Sequence, residues 1–141
     1  MRAPRRCLAS APVLAAVAAA AAGCGEDGTF TAQDFVTAVN AQGVQLELGE
    51  ELVTEEEGKE LYAIELEPGA GPRRDSQGEE VHAGGSLSVY ESDEGEPDDE
   101  FRSCEQAADL LCYRAANVVV VLEGGGIEAR QLGVAMQRLQ D

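Results

Sequence analysis

The residue types with the most reactive side chains are scarce in this sequence, and this limits the chemistry that the chain can perform. The sequence holds four cysteines and a single histidine, His82. One histidine argues against a zinc site built from histidines and against a Ser-His-Asp triad. His82 lies beside a glycine turn, so we expect an ordinary surface histidine and predict neither a metal site nor a cofactor.

Carboxylates are the other side chains that could perform chemistry, and the chain holds 27 acidic residues. A pair of carboxylates can hydrolyse a glycosidic bond, and oxygen ligands in the right order can bind calcium. Residues 91–100 hold seven acids in ten positions, but they lack the order of an EF-hand loop. We predict no catalytic residue, and we expect this acidic segment to be flexible because its like charges repel.

The N-terminus has the parts of an export signal. Three arginines (Arg2, Arg5 and Arg6) come before any acid, and residues 8–22 then carry no charge and are mostly alanine. This order is typical of a secretory signal peptide. The apolar stretch is about 15 residues long, shorter than the roughly 20 that a membrane-spanning helix needs. We therefore predict a signal peptide over residues 1–23.

The residues at the end of this segment indicate the kind of signal. The AAGC sequence at residues 21–24 resembles the lipobox of bacterial lipoproteins, with alanine at Ala21 where leucine is usual. The resemblance implies that Cys24 carries a diacylglyceryl group with palmitate-type chains and becomes the new N-terminus. It also implies a place on the extracytoplasmic face of the cell membrane. The competing cleavage site is the AAA sequence at residues 20–22, which would release a soluble protein.

Composition adds to this resemblance. The single lysine, Lys59, and the abundance of alanine, glycine and glutamate resemble the small lipoproteins of actinobacteria. Without residues 1–23 the basic count falls from 10 to 7 against 27 acids, so the net charge goes from −17 to −20. Such a charge makes nucleic acid and anionic lipid surfaces poor partners. We expect a tether over residues 24–29, one monomeric domain over residues 30–141, and a protein partner.

Two cysteines remain in the predicted domain, Cys104 and Cys112. Outside the cytoplasm such cysteines pair as a rule. A straight helix through both would separate them by about 12 Å, which exceeds the roughly 7 Å that a disulfide allows between Cα atoms. Either residues 105–111 are not one straight helix that runs through both cysteines, or there is no bridge. We predict the disulfide, with a short helical turn that doubles back into a strand at Tyr113.

Local patterns predict the elements of the domain. Thr31 is placed to cap a helix over residues 32–42, with Phe30 and Phe35 forming a hydrophobic staple. Strict alternation predicts a strand over residues 44–48, which Gly49 ends. Further strands are predicted over residues 61–66, 85–91 and 117–122, a loop over 68–78, and a helix over 128–140.

These elements predict the α+β class: an antiparallel sheet of about four strands with the N-terminal and C-terminal helices packed on one side. The valine run at residues 118–121 is expected to occupy the centre of the sheet. Two functions remain open for such a domain. One is a non-enzymatic envelope module that binds a protein or another ligand. The alternative is a small envelope hydrolase with paired carboxylates, or a secreted soluble binding protein if Cys24 is not lipidated.

Overall fold

The computed structural model describes residues 28–67, 73–74, 77–78, 80–81, 84–124 and 126–141. The predicted signal peptide, Cys24 and His82 lie outside the described residues. In chain order the elements are α1 (Ala32–Asn40), β1 (Leu46–Leu52), β2 (Lys59–Leu66), β3 (Arg73–Arg74), β4 (Glu80–Val81), β5 (Gly84–Tyr90), α2 (Glu96–Glu105), β6 (Leu110–Ala115), β7 (Val118–Glu123) and α3 (Ile127–Arg138).

The first helix begins as its sequence predicts. The Thr31 side chain accepts a hydrogen bond from the backbone N–H of Asp34 at 3.1 Å, which satisfies one of the free donors of the first turn. The rings of Phe30 and Phe35 meet edge to face, 6.0 Å apart. Both rings are buried, so the cap and the staple together set where α1 starts and which side of it enters the core.

Five strands form an antiparallel sheet in the order β1-β2-β5-β7-β6, and β3 and β4 form a separate two-stranded pair. The sequence predicts about four strands and a further strand at Tyr113, and that further strand is β6, which pairs with β7 through the turn at residues 116–117. The β7 strand lies between β5 and β6, with Val118, Val119 and Val120 fully buried. Its expected burial on both faces is confirmed, but the central position expected for it belongs to β5.

Most element ends differ from the predictions by one or two residues, and two predictions differ by more. Gly49 does not end the first strand, because β1 continues to Leu52 after a register shift between Leu48 and Glu51. Such a bulge adds a residue to one strand without ending its pairing. The predicted loop over 68–78 contains β3 at Arg73–Arg74, while most of its other residues lie outside the described part.

The main core lies on one face of the sheet. Alternation along β5 directs Leu87 and Val89 to this face, where they join the buried apolar residues of β7 and of both terminal helices. Phe35 and Val39 from α1 and Leu132 and Met136 from α3 belong to the same cluster. The expected packing of these two helices on one side is therefore confirmed.

The middle helix, α2, packs against the opposite face, over β6 and β7. It begins at Glu96, so the prediction of a flexible segment over 91–100 is wrong for residues 96–100. The acids of this segment repel one another, but three of them, Glu96, Asp98 and Asp99, lie in the first helical turn. Carboxylates there interact favourably with the positive end of the helix dipole, and Pro97 suits the first turn.

Candidate functional site

The face of the sheet beneath α2 carries polar side chains in an otherwise apolar strand. Because Leu87 and Val89 face the main core, Ser88 and Tyr90 point to the opposite side. Both residues are buried, Ser88 with 0% and Tyr90 with 4% of its surface exposed. Buried hydroxyl groups need hydrogen-bond partners, and both find the same partner on α2.

That partner is Glu100. Ser88 Oγ donates to Glu100 Oε1 at 2.9 Å, and Tyr90 Oη donates to Glu100 Oε2. Lys59 Nζ lies 3.4 Å from Glu100 Oε2. Each carboxylate oxygen therefore has a hydrogen-bond donor, and the charge of the carboxylate is offset by an ammonium group.

Lys59 supplies the positive charge in this cluster and contacts several of its groups. Its ammonium group lies 3.1 Å from Glu56 Oε2 and 5.4 Å from the centre of the Tyr90 ring. A lysine in this position gains from the negative face of the ring as well as from the carboxylates. Only 11% of the Lys59 side chain is exposed, so the pairing with Glu100 is screened less than a surface ion pair is.

This environment changes the acidity of the tyrosine. Burial raises the pKa of Tyr90 well above its ordinary value near 10.0, and the hydrogen bond to the Glu100 carboxylate raises it further. A phenolate would lose hydration and would face a like charge. Tyr90 is therefore a hydrogen-bond donor throughout the physiological range, and it is no candidate for a general base or a nucleophile.

A cleft of about 640 Å³ opens beside this cluster, between α2 and the sheet, and we call it the α2 cleft. Its floor includes Tyr90, Leu110 and Val121, which supply apolar surface. Its rim carries two exposed acids of α2, Glu96 and Asp99, and Glu56, whose carboxylate is paired with Lys59 in the lining of the same cleft. Apolar surface bordered by several carboxylates favours a ligand with an aliphatic stem and a positive head.

Two links hold α2 over this face. Cys104 and Cys112 form a disulfide with their Cα atoms 6.0 Å apart, within the usual range for such a bond. The chain doubles back between them, from the end of α2 into β6. Arg114 in β6 also pairs with Asp98 in α2. The α2 helix, which forms one wall of the α2 cleft, is thus attached to the sheet near both ends of the helix.

Two further clefts lie around β6 and α3. The larger, about 890 Å³, runs along β6 between α2 and α3. Addition of a peptide strand there is obstructed, because Gln140 donates to the Arg114 carbonyl. The smaller, about 390 Å³, lies between α3 and the end of α1. It includes Gln42, whose Oε1 is buried and has no hydrogen-bond partner among the described residues.

The sequence predictions find only part of this site. They identify the pair Cys104 and Cys112, which the structure brings together. They also name Cys24, which lies outside the described residues. They miss Lys59, Ser88, Tyr90 and Glu100. In β5, serine and tyrosine alternate with apolar residues, and this alternation could have predicted that the face of the sheet beneath α2 is polar. Among the described residues, no group of three or more His, Cys, Asp or Glu side chains is arranged to hold a metal ion.

Comparison with known proteins does not assign the chain to a family. No protein-family model matches the chain. Neither the curated proteins nor the solved structures yield a match. None of the helices in the described part of the chain is long and apolar enough to cross a membrane.

Proposed function

We propose that the protein is a lipid-anchored module on the extracytoplasmic face of the cell membrane, which binds a partner protein without performing catalysis. Cys24 carries the anchor, and the tether over residues 24–29 links it to the domain. The α2 cleft receives a cationic side chain, lysine or arginine, from an exposed segment of the partner. The rest of the acidic surface directs the approach of such a partner.

The observation that carries the binding proposal is the composition of the α2 cleft. Glu56, Glu96 and Asp99 border a floor that contains Tyr90 and Val121. A lysine or arginine stem covers apolar surface while its charged head reaches carboxylates. The side chain of Glu56 is 63% exposed, so the rim reaches solvent and a ligand can approach it from outside.

The anchor proposal rests on the lipobox resemblance at residues 21–24. The disulfide between Cys104 and Cys112 supports it, since such bonds persist in oxidising compartments. Two acyl chains on Cys24 would hold the protein firmly, because membrane affinity grows by about 0.8 kcal/mol for each buried methylene group.

Titration with a defined cationic probe tests the cleft. Tetralysine is added to the purified full-length protein in neutral detergent micelles, and amide and side-chain shifts are followed by NMR. We expect the largest shifts at Tyr90, Leu110 and Val121, and a loss of binding when the lysines are acetylated. Binding should weaken steeply with salt, because the contacts are between charges near the surface.

Matched variants separate the cleft from general acidity. Glu96→Gln with Asp99→Asn should weaken tetralysine binding by about tenfold, or about 1.4 kcal/mol. Glu47→Gln with Glu65→Gln removes the same charge from exposed positions on β1 and β2 and should change it less than twofold. Equal losses in the two variants would mean that the chain attracts cations without a site, and the cleft proposal would fail.

The hydrolase alternative has one candidate residue, because Glu100 is a partly buried carboxylate beside an apolar floor. A general acid or a nucleophile needs a free oxygen facing the substrate. Both oxygens of Glu100 already accept hydrogen bonds, from Ser88 and Tyr90. Glu100 therefore acts as the support of the cleft, and Glu100→Gln should lower stability rather than abolish a turnover.

The mass of the native protein tests the anchor. Protein extracted from its own membrane fraction should match residues 24–141 plus a diacylglyceryl group. Reduction should then add about two hydrogens, as expected for one disulfide. A soluble protein that begins at Gly23 would exclude lipidation and leave a secreted binding protein.

A further inference from the structure

The α3 helix presents a second side that the core does not use. Its outward residues recur at the spacing of one helical stripe, and we call them the α3 outer stripe: Ile127, Arg130, Gln131, Val134 and Arg138. Ile127 is 68% and Val134 is 49% exposed, although both are large apolar residues. The two arginines and the glutamine are exposed as well.

The charge of this stripe differs from that of the chain as a whole. The full sequence has a net charge of −17, whereas the stripe holds two positive charges and no acid. Lys59 and Arg114 are paired with carboxylates. The ion pairs among the described residues involve neither Arg130 nor Arg138. Their guanidinium groups are thus available to an external anion.

The stripe also lies close to the point where the domain meets its tether. The backbone of Phe30 is hydrogen-bonded to the Asn117 side chain, in the turn between β6 and β7. Beyond the end of α3, Gln140 donates to the carbonyl of Arg114, next to the same turn. The C-terminal end of α3, with Arg138, therefore lies at the end of the sheet from which residue 28 leads back to Cys24.

We propose that the α3 outer stripe rests on the anionic phospholipid surface of the membrane that holds the anchor. This proposal rests on the lipidation of Cys24. The arginines pair with lipid phosphates, for which a guanidinium fork is well suited, while Ile127 and Val134 reach the boundary of the acyl chains. A tether of about six residues spans at most roughly 20 Å, so the stripe meets the lipid at a high effective concentration.

The acidic remainder of the domain does not prevent this contact. Screening at physiological ionic strength limits charge interactions to about 8 Å. The α2 helix and the acids at the rim of its cleft lie on the opposite face of the sheet, and the sheet and a helix layer separate them from the stripe. The same orientation points the α2 cleft away from the membrane, towards a partner.

A tryptophan reporter tests the proposal, because the sequence contains no tryptophan. Val134→Trp places the reporter in the stripe, and Gln106→Trp places it at the exposed end of α2 on the opposite face. Each lipidated full-length variant is reconstituted in vesicles of phosphatidylcholine, with or without about one-third phosphatidylglycerol. Brominated acyl chains serve as the quencher, and flotation measures anchoring independently.

We expect quenching and a blue shift at position 134 in anionic vesicles only, and neither change at position 106. Arg130→Gln with Arg138→Gln, added to the Val134→Trp variant, should weaken the contact by about fivefold for each arginine, while flotation is unchanged.

An unquenched reporter at position 134 in a protein that floats would overturn the orientation and leave the anchor intact. A blue shift that grows with protein concentration in detergent would indicate an interface between two copies, and it would overturn the proposal too. Failure to float would refute the anchor itself.

Discussion

Asn117 holds Phe30 as a neighbouring strand would, through both backbone groups of one residue. Its Oδ1 accepts from the Phe30 N–H at 2.7 Å, and its Nδ2 donates to the Phe30 carbonyl at 2.9 Å. The same Nδ2 donates to the carbonyl of Tyr90 at 2.7 Å. Asn117 is 1% exposed, so one buried amide ties the start of the domain to the ends of β5 and β7.

Asn117→Ala should therefore destabilise the protein strongly. The change leaves three buried backbone groups without partners, and we expect the free energy of unfolding to fall by about 3 kcal/mol. Denaturant unfolding measures this loss. Asn40→Ala is the matched control, since Asn40 forms two comparable bonds with Leu46 in a more exposed place. The control should lose about 1 kcal/mol, and equal losses would contradict the role of Asn117.

Reduction of Cys104–Cys112 should loosen α2 before the rest of the domain. Closing a loop of this size stabilises by about 2 to 3 kcal/mol in the chain-entropy model, and the disulfide is the covalent link between α2 and β6. Hydrogen exchange should then quicken in α2, while α1 keeps its protection. The double variant Cys104→Ser with Cys112→Ser should behave like the reduced protein. Unchanged exchange in α2 would mean that the disulfide adds nothing to its attachment.

Alkaline pH should unfold the protein through Tyr90. Its pKa in the native state is raised, by burial first and then by Glu100, whereas the unfolded chain releases the proton near pH 10.0. Above that pH the unfolded state is favoured by deprotonation, so stability falls by about 1.4 kcal/mol per pH unit for this one group. The stabilising effect is fully present below pH 10 and is lost as the pH rises towards the native pKa.

Tyr90→Phe separates this effect from general alkaline denaturation. The variant should lose about 1 kcal/mol at neutral pH with the hydrogen bond, but its stability should fall less steeply above pH 10. Tyr62→Phe is the control, because the pKa of Tyr62 is also raised by burial and by Glu60 although the residue is only partly buried. A wild-type slope that survives in Tyr90→Phe would refute the assignment.

Gly85→Ala should disrupt the pairing of β5 with β7. A Cβ at Gly85 would overlap the Val121 carbonyl oxygen and would lie 2.9 Å from the Leu122 Cα, and both atoms belong to the backbone. Neither atom can rotate away, so we expect a loss of about 3 kcal/mol or more. At the adjacent Gly84, a Cβ would meet one oxygen at 3.0 Å. Gly84→Ala should therefore cost clearly less in thermal unfolding.

The sequence predictions are accurate where short-range patterns determine the structure. The cap at Thr31 and the valine run of β7 predict α1 and the interior strand, because each depends on residues close by in the chain. The predictions are wrong where packing outweighs local charge. The acids before Pro97 suggest a flexible segment, yet the disulfide at Cys104 and the burial of Pro97 hold α2 against the sheet.

Local patterns were enough to predict the class of the domain, the positions of its terminal helices and the pairing of the two cysteines. Each follows from periodicity or from a distance limit along the chain. Only the tertiary structure shows that Lys59, Tyr90 and Glu100 lie together beneath α2. So did the bonds from Asn117 to Phe30, 87 residues away. Strand order and the choice of face for α2 depend on contacts between distant residues, and local patterns carry no information about them.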